Sequence, residues 1–431
     1  MRKLRVGLLG CGTVGGGVIQ LLRANAKYMA LLVGAELEIA GVLVRDKARE
    51  RVPELNPALL TTDPEALLSD ATIDVFVEVM GGIDPAKGYV ERAIDSGRSV
   101  VTANKMLLAV HGASLIRRAA AQHVDLAFEG SVGGGIPVIR VLRDALASDS
   151  IESLVGIVNG TCNYMLTRMR QQGLAFEVAV REAQERGYAE ADPSLDVDGH
   201  DAAHKLAVLA MVAFGAEVDS GSIWTEGIRG IEPIDHRFAD RFGFAIKHLA
   251  IGKRRNEALE MRVHPCLIQR DTTLANVGGV LNAIAVEGRA LGPCLLSGRG
   301  AGDKPTAVSV VADLLDVSRA RLAGTAGLMT GAIRLEPRQL SPMAHVECRY
   351  YLRFQVFDRP GILAQIAGSL GENSVSIEQM VQEGGGDSRG APVQVVMLTH
   401  SAKEQDVTNA VEKLASSNYV AAKTRVIRVH E

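Results

Sequence analysis

Residues 4–25 read LRVGLLGCGTVGGGVIQLLRAN. A short apolar run ends at Leu9, a glycine-rich loop follows at once, and the chain then takes a helical pattern. Gly10, Gly12 and Gly15 form G-C-G-T-V-G, with Thr13 and Val14 inside the motif. In such a loop the first glycine makes the tight turn and the second lets backbone approach a pyrophosphate. The third allows close helix–strand packing, and the helix start offers free N–H groups to the anion. Alone the motif is weak. Directly after a strand and opening a helix, it predicts a dinucleotide-binding domain.

Working outward, strands are expected at 36–44, 73–79, 99–103 and 125–130, with helices over 85–96 and 106–122. This alternation predicts a parallel, doubly wound α/β sheet of the Rossmann type, ending near residue 130. Residues 131–299 mix glycine-rich loops (SVGGGIP, IVNGTCN, RGIEPI) with alanine-rich helices and predict a mixed α/β domain. Residues 299–320 read as a loop and a helix, and 300–325 would return to the first domain. The stretch 326–347 has two prolines and no periodicity over its second half, so it is expected to link. Residues 348–431 run strand, helix, strand, strand, helix, strand, with a turn at DRPG (358–361) and a loop at GGGDSRGAP (384–392). That βαββαβ order is the ferredoxin-like pattern.

Composition narrows the function. The formal net charge of -3 gives no electrostatic reason to bind nucleic acid or a membrane surface. No apolar run reaches the ~20 residues of a membrane span. The five cysteines (Cys11, Cys162, Cys266, Cys294, Cys348) lack metal-ligand spacing and have an odd total. They predict thiols in a reducing cytosol.

Three further stretches carry chemistry. After the second strand come Arg45, Asp46, Lys47 and Arg49. An arginine there suits the 2′-phosphate of NADP, which favours NADP over NAD, while Asp46 would still serve NAD. TANK (Thr102–Lys105) follows a strand end, where a parallel sheet meets its ligand. In EGSVGGGIPVI (129–139), Glu129 precedes a loop that would either wrap a hard cation with carbonyl oxygens or approach a ligand closely.

The densest signal is GYAEADPSLDVDGHDAAHKLA (187–207), with five acids between Glu190 and Asp201 and then Lys205. Asp198 is expected to cap a helix, with Asp201 in capping-box position. Asp201 and Lys205 are i and i+4 on one helix face, and the apolar LAVLAMVAF that follows Lys205 places the pair where the helix enters a core. Buried ions are rare without a reason. His200 and His204 are also i and i+4, but lack the glutamate of a zinc-protease motif.

Together, GCGTVG, TANK, EGSVGGGIPVI, GIVNGTCNYMLT, GYAEADPSLDVDGHDAAHKLA and GRGAGDKPT resemble the homoserine dehydrogenase family, in family order over residues 1 to about 325. The tail resembles an ACT domain. Gly130 stands where the family pattern has alanine. The resemblance implies reversible NAD(P)H-dependent reduction of L-aspartate 4-semialdehyde to L-homoserine, in threonine, methionine and isoleucine biosynthesis. It implies Lys205 as proton donor and acceptor, and Lys105 between nicotinamide and substrate. Glu190 and Asp201 would bind the amino acid, with Tyr188, Asp196 and Thr161 close by. Gly187 and Gly302 would line the cofactor side. Glu129 and the carbonyls of Val132, Gly134 and Ile136 would hold a sodium-like ion. In the ACT tail Gly361, Asn373 and Ser374 would bind an effector, threonine being the expected inhibitor.

The middle domain and the tail both look like assembly surfaces and predict a homodimer or homotetramer. Two other readings remain open on sequence: a deaminating amino-acid dehydrogenase, and a catalytically dead amino-acid sensor.

Overall fold

The computed structural model describes residues 2–384 and 392–431, so most of the loop expected over 384–392 lies outside the described residues. The chain divides into two compact units, residues 1–158, 201–223 and 281–338 in the first, and 159–200, 224–280 and 339–431 in the second.

The first unit is built on six parallel strands: β1 Lys3–Leu9, β2 Glu36–Leu43, β3 Leu60–Thr61, β4 Val75–Glu78, β5 Ser99–Thr102 and β6 Leu126–Ala127. Their order is β3-β2-β1-β4-β5-β6, the doubly wound arrangement expected. The register aligns Leu9 with Leu43 and Glu78, and Glu78 with Thr102. The glycine loop, Glu78 and TANK therefore share the carboxyl edge of the sheet, where such folds bind ligands. The two-residue β3 and a helix over Ala26–Val33 were not anticipated. β3 is too short to show a period.

The helix Asp303–Ala323 joins this core. Ala307, Val310, Val311, Leu314 and Val317 recur at helical spacing and pack with Val6, Leu8, Val18 and Val77. A second, antiparallel sheet in the same unit sets Leu281–Gly288 between Ile151–Ile157 and Gly292–Arg299. The helix His200–Ala213 is buried over most of its length.

In the second unit, strands Phe244–Arg255 and Ala258–Gln269 form a long antiparallel pair. One face packs Phe244, Ile246 and Leu267 against Met165 and Met169 of helix Gly160–Gln172 and Phe238 of helix Pro233–Arg241. The tail has the expected βαββαβ order: strands Tyr350–Phe357, Ile377–Glu383, Pro392–Thr399 and Val420–His430, and helices Ile362–Glu372 and Glu404–Ala415. Its strands pair antiparallel in the order fourth, first, third, second. Alternation sorts its side chains. Tyr350, Leu352 and Phe354 pack under the helices, while Tyr351, Val396 and Leu398 join Phe238 and Phe244 on the other face. Strand Val420–His430 also pairs in parallel with Ala258–Gln269, through Cys266 opposite Arg428. Asp235 accepts from Arg353 at 2.7 Å and from the Tyr351 hydroxyl at 3.0 Å, so helix Pro233–Arg241 is bonded to the tail's first strand.

The stretch expected to link, 326–347, carries a short helix, Leu328–Gly331, and a two-residue strand, Glu336–Pro337, paired with Ala216–Glu217. Among the described residues no helix is long and apolar enough to cross a membrane.

Candidate active site

The glycine loop has the geometry its sequence requires. Gly10 lies at φ 100°, which only glycine adopts without strain. A Cβ on Gly15 would stand 2.6 Å from the Gly10 carbonyl oxygen, so the helix sits hard against the turn. A Cβ on Gly12 would meet nothing within 4 Å, so the backbone there faces open space that a pyrophosphate fits. Arg45 is exposed just beyond β2. Arg51, which the sequence reading passed over, opposes with its charge the upward push of burial on the Cys11 thiol, and donates to the carbonyls of Asp46 and Arg49. Its six-residue distance from Arg45 gave no signal.

At the next strand ends, TANK is organised around a buried acid. Glu78 accepts from the Thr102 hydroxyl at 2.6 Å and from the Met80 N–H at 2.8 Å, and burial pushes its carboxyl up. Asn104 caps the next helix by accepting from Leu107 N–H, and donates its amide to the Gly82 carbonyl at 2.6 Å. Lys105 is thereby fixed as the first residue of helix Lys105–Ala121.

The centre of the site is Asp201. Its Oδ2 accepts from the Lys205 ammonium at 2.7 Å, and its Oδ1 lies 2.9 Å from that of Lys105. Burial alone would raise this carboxyl, but the charges of Lys205 and Lys105 and their hydrogen bonds outweigh it and hold Asp201 well below the usual range. Lys205 also donates to the Val158 carbonyl at 2.8 Å. That carbonyl accepts a second bond, from the Asn282 amide at 2.9 Å. Asn282 lies 77 residues beyond Lys205, and no local pattern marked it.

One sequence expectation changes here. Asp198 does not cap this helix: it ends the short helix Ser194–Val197, and Arg229 binds its carboxylate at 2.5 and 3.0 Å. Gly199, at φ 92°, turns the chain instead, where a Cβ would stand 2.8 Å from Thr225. The Asp201 carboxylate stands between the ammoniums of Lys105 and Lys205.

The other predicted substrate residues belong to the second unit. Thr161, in the first turn of helix Gly160–Gln172, donates to the Tyr188 carbonyl at 2.7 Å. Tyr188 is exposed and meets Tyr164 edge-on. Asp196 accepts from Asn159, whose own side-chain oxygen caps the same helix. Glu190 is exposed, and Gln184 holds its backbone carbonyl. Gly187, at φ 72°, is exposed; in the first unit, Gly302, at φ 122°, precedes helix Asp303–Ala323.

The loop 129–139 offers oxygen donors of a particular kind. The Glu129 carboxylate accepts the N–H groups of Ile139 and Arg140, both at 2.8 Å, and so caps the helix Val138–Arg140. The remaining hard donors are carbonyls, including those of Val132, Gly134 and Ile136. The Gly134 carbonyl already accepts from the Ser309 hydroxyl at 2.6 Å and that of Ile136 from Val138 N–H at 2.8 Å, each with a second lone pair left. An all-oxygen set of this kind suits a hard cation. Asp313, fully buried, accepts from the Glu129 N–H at 2.7 Å, and burial with the Glu129 charge pushes it up to about 7. Among the described residues no group of three or more His, Cys, Asp or Glu side chains could hold a metal, His200 and His204 included.

In the tail, Gly361 and Asn373 flank opposite ends of the eleven-residue helix Ile362–Glu372, with Ser374 next to Asn373. At 1.5 Å per residue those ends are ~16 Å apart. The structure does not bring the three predicted effector residues together within one chain.

A doubly wound sheet with an open glycine cradle and two lysines on one buried carboxylate defines a nicotinamide-dependent oxidoreductase. Comparison with known proteins agrees. The profile described as "Homoserine dehydrogenase, NAD binding domain" matches residues 10–129, "Homoserine dehydrogenase" matches 137–315 and "ACT domain" matches 350–416. The homoserine dehydrogenase of Pseudomonas aeruginosa is 41% identical over 100% of both chains, and that of Neisseria gonorrhoeae is 40% identical over 100% of this chain and 99% of its own. The crystal structure of a homoserine dehydrogenase from Thiobacillus denitrificans superposes with a TM-score of 0.92 at 42% identity, covering 100% of this chain and 99% of that one. The chain belongs to the homoserine dehydrogenase family, and it is an NAD(P)-dependent enzyme of that activity with a C-terminal ACT domain.

Proposed function

We propose that the chain interconverts L-aspartate 4-semialdehyde and L-homoserine with Lys205 as the proton donor and acceptor. One observation carries this reading: two ammoniums, Lys205 and Lys105, are held on the two oxygens of a single buried carboxylate. The bound nicotinamide supplies or accepts a hydride at the aldehyde carbon. As that carbon is reduced its oxygen gains negative charge, and the Lys205 ammonium neutralises it by giving up a proton. Asp201 and the Val158 carbonyl aim that ammonium. Asp201 also draws Lys105 to the same place, where it lies between cofactor and substrate. In the oxidative direction the lysine must first be neutral, so homoserine oxidation is faster at alkaline pH.

The substrate is an amino acid, and its α-ammonium needs carboxylate. Both Asp201 oxygens already serve lysines, so Glu190 and Asp196 carry more of that task, with Tyr188 and Thr161 shaping the subsite. Gly10, Gly12, Thr13, Val14, Gly15, Thr102, Gly187 and Gly302 serve the cofactor. Arg45, with Arg51 behind it, favours the 2′-phosphate of NADP. The carbonyls of the Glu129 loop take a monovalent cation, sodium fitting the donor set. The product feeds threonine, methionine and isoleucine synthesis, and threonine acts at the ACT tail. With Gly361 and Asn373 at opposite ends of one helix, an effector site that uses both needs a second copy of the chain, which supports a homodimer or homotetramer.

The test is spectrophotometric: L-homoserine with NADP and NAD in turn, with and without threonine. The reading expects cofactor reduction without ammonia release, a higher kcat/KM with NADP, and inhibition by threonine. Ammonia release, or no reduction with either cofactor, overturns it.

A further inference from the structure

Lys247, on strand Phe244–Arg255, is buried, and among the described residues its ammonium bonds neutral groups alone: the Val277 carbonyl at 2.5 Å and the Asn163 side-chain oxygen at 3.3 Å. Among the described residues no carboxylate meets it, although a buried ammonium ordinarily requires one. A lysine has three protons to donate, and these bonds use two. Beside Lys247 lies a cavity of about 380 Å³, lined among others by Thr167, Arg170, Asp240, Asn276 and Gly278.

The charges around this cavity do not cancel. Arg170 is matched by Asp240, through bonds of 2.7 and 3.0 Å. Arg270 also approaches Asp240, at 3.7 Å. One carboxylate thus serves two guanidiniums, and Lys247 is left over. A second sign comes from His236, one helical turn before Asp240. It is buried and neither ring nitrogen has a hydrogen-bond partner among the described residues. Burial, with the Arg170 and Lys247 charges, pushes it down to about 4, so it stays neutral. Burial and the Arg170 charge likewise bring Lys247 down to about 8. Hydrogen bonds tie the pocket floor together: Asn163 donates to the carbonyls of Val277 and Gly279, and Thr167 accepts from Gly279 N–H.

We propose that this cavity binds a small oxyanion, a carboxylate or phosphate group, which supplies the charge missing opposite Lys247. A charge-assisted bond from a desolvated ammonium is strong, and the cavity has room for the anion and its substituent. None of these residues belongs to the lysine–aspartate site, so the inference stands apart from the reading given above.

The experiment is isothermal titration of the full-length protein with sodium phosphate and, in a separate arm, sodium acetate, against sodium chloride at matched ionic strength. The wild type is expected to saturate with at least one of the two, and the tighter arm identifies the source. Two variants test the place. Lys247→Met removes the charge at similar volume. Gly278→Val fills the cavity with Lys247 intact; an added Cβ there meets only Thr167, at 3.7 Å. Each variant, verified as folded by circular dichroism, should bind at least tenfold more weakly. Absence of saturable binding in the wild type, or binding retained by either folded variant, overturns the proposal.

Discussion

Lys205 and Lys247 are both buried, and each donates to a valine carbonyl, that of Val158 or Val277. They differ in the second partner: Lys205 has the Asp201 carboxylate, Lys247 the Asn163 amide. Burial sets the cost of a charge, and the partner decides whether the fold itself meets that cost. At Lys205 it does, through the Asp201 carboxylate. At Lys247 it does not, and burial lowers the lysine to about 8.

The comparison is broken most sharply by Asp201→Asn, which gives Lys205 the kind of partner Lys247 has. Two ammoniums then lose their carboxylate, and stability should fall by about 3–5 kcal/mol, read from urea denaturation. A loss below 1 kcal/mol would mean that water already screens the pair. Next comes Lys205→Ala, expected to lower kcat by ~10² or more while cofactor affinity measured by fluorescence stays nearly intact. Loss of cofactor binding instead would assign Lys205 to the cofactor.

Lys247→Met should do the reverse of Asp201→Asn and raise stability at pH 7, by about 1 kcal/mol. The sign follows from linkage. Lys247 titrates at about 8 when folded and near 10.5 unfolded, so the unfolded chain binds more protons between those values. Stability therefore rises with pH across about 8 to 10.5, and the variant should lack that contribution. The smallest effect belongs to His236, held neutral down to about 4. Stability falls as pH drops from 6.5 towards 4, where the unfolded chain takes up the proton first. His236→Leu should reduce that slope by about one proton; His430, also lowered to about 4, retains its share.

The two lysines also mark how far the sequence could be read. The Lys205–Asp201 pair is four residues apart on one helix, so spacing alone revealed it. The partners of Lys247 lie 84 and 30 residues away, and nothing local announces them. The glycine loop and TANK were legible for the same reason, as strand–loop–helix signatures. The sharing of Asp201 with Lys105, the Asn282 bond behind Val158 and the Glu129 carboxylate turned onto a helix start all depend on tertiary packing. Asp198 misled because aspartate is also what a neighbouring arginine seeks. In the tail, alternation marked the first strand and the local pattern the other three, but not the bond between Arg353 and Asp235.

Strand Val420–His430 is hydrogen-bonded both to the ACT strand Tyr350–Phe357 and to Ala258–Gln269. The ACT domain thus continues its neighbour's sheet through Cys266, Leu267 and Ile268 paired with Arg428, Val429 and His430. The same seam makes removal of the domain a poor experiment: cutting at residue 347 would leave a raw β edge and uncover Phe244 and Leu267, an invitation to aggregate.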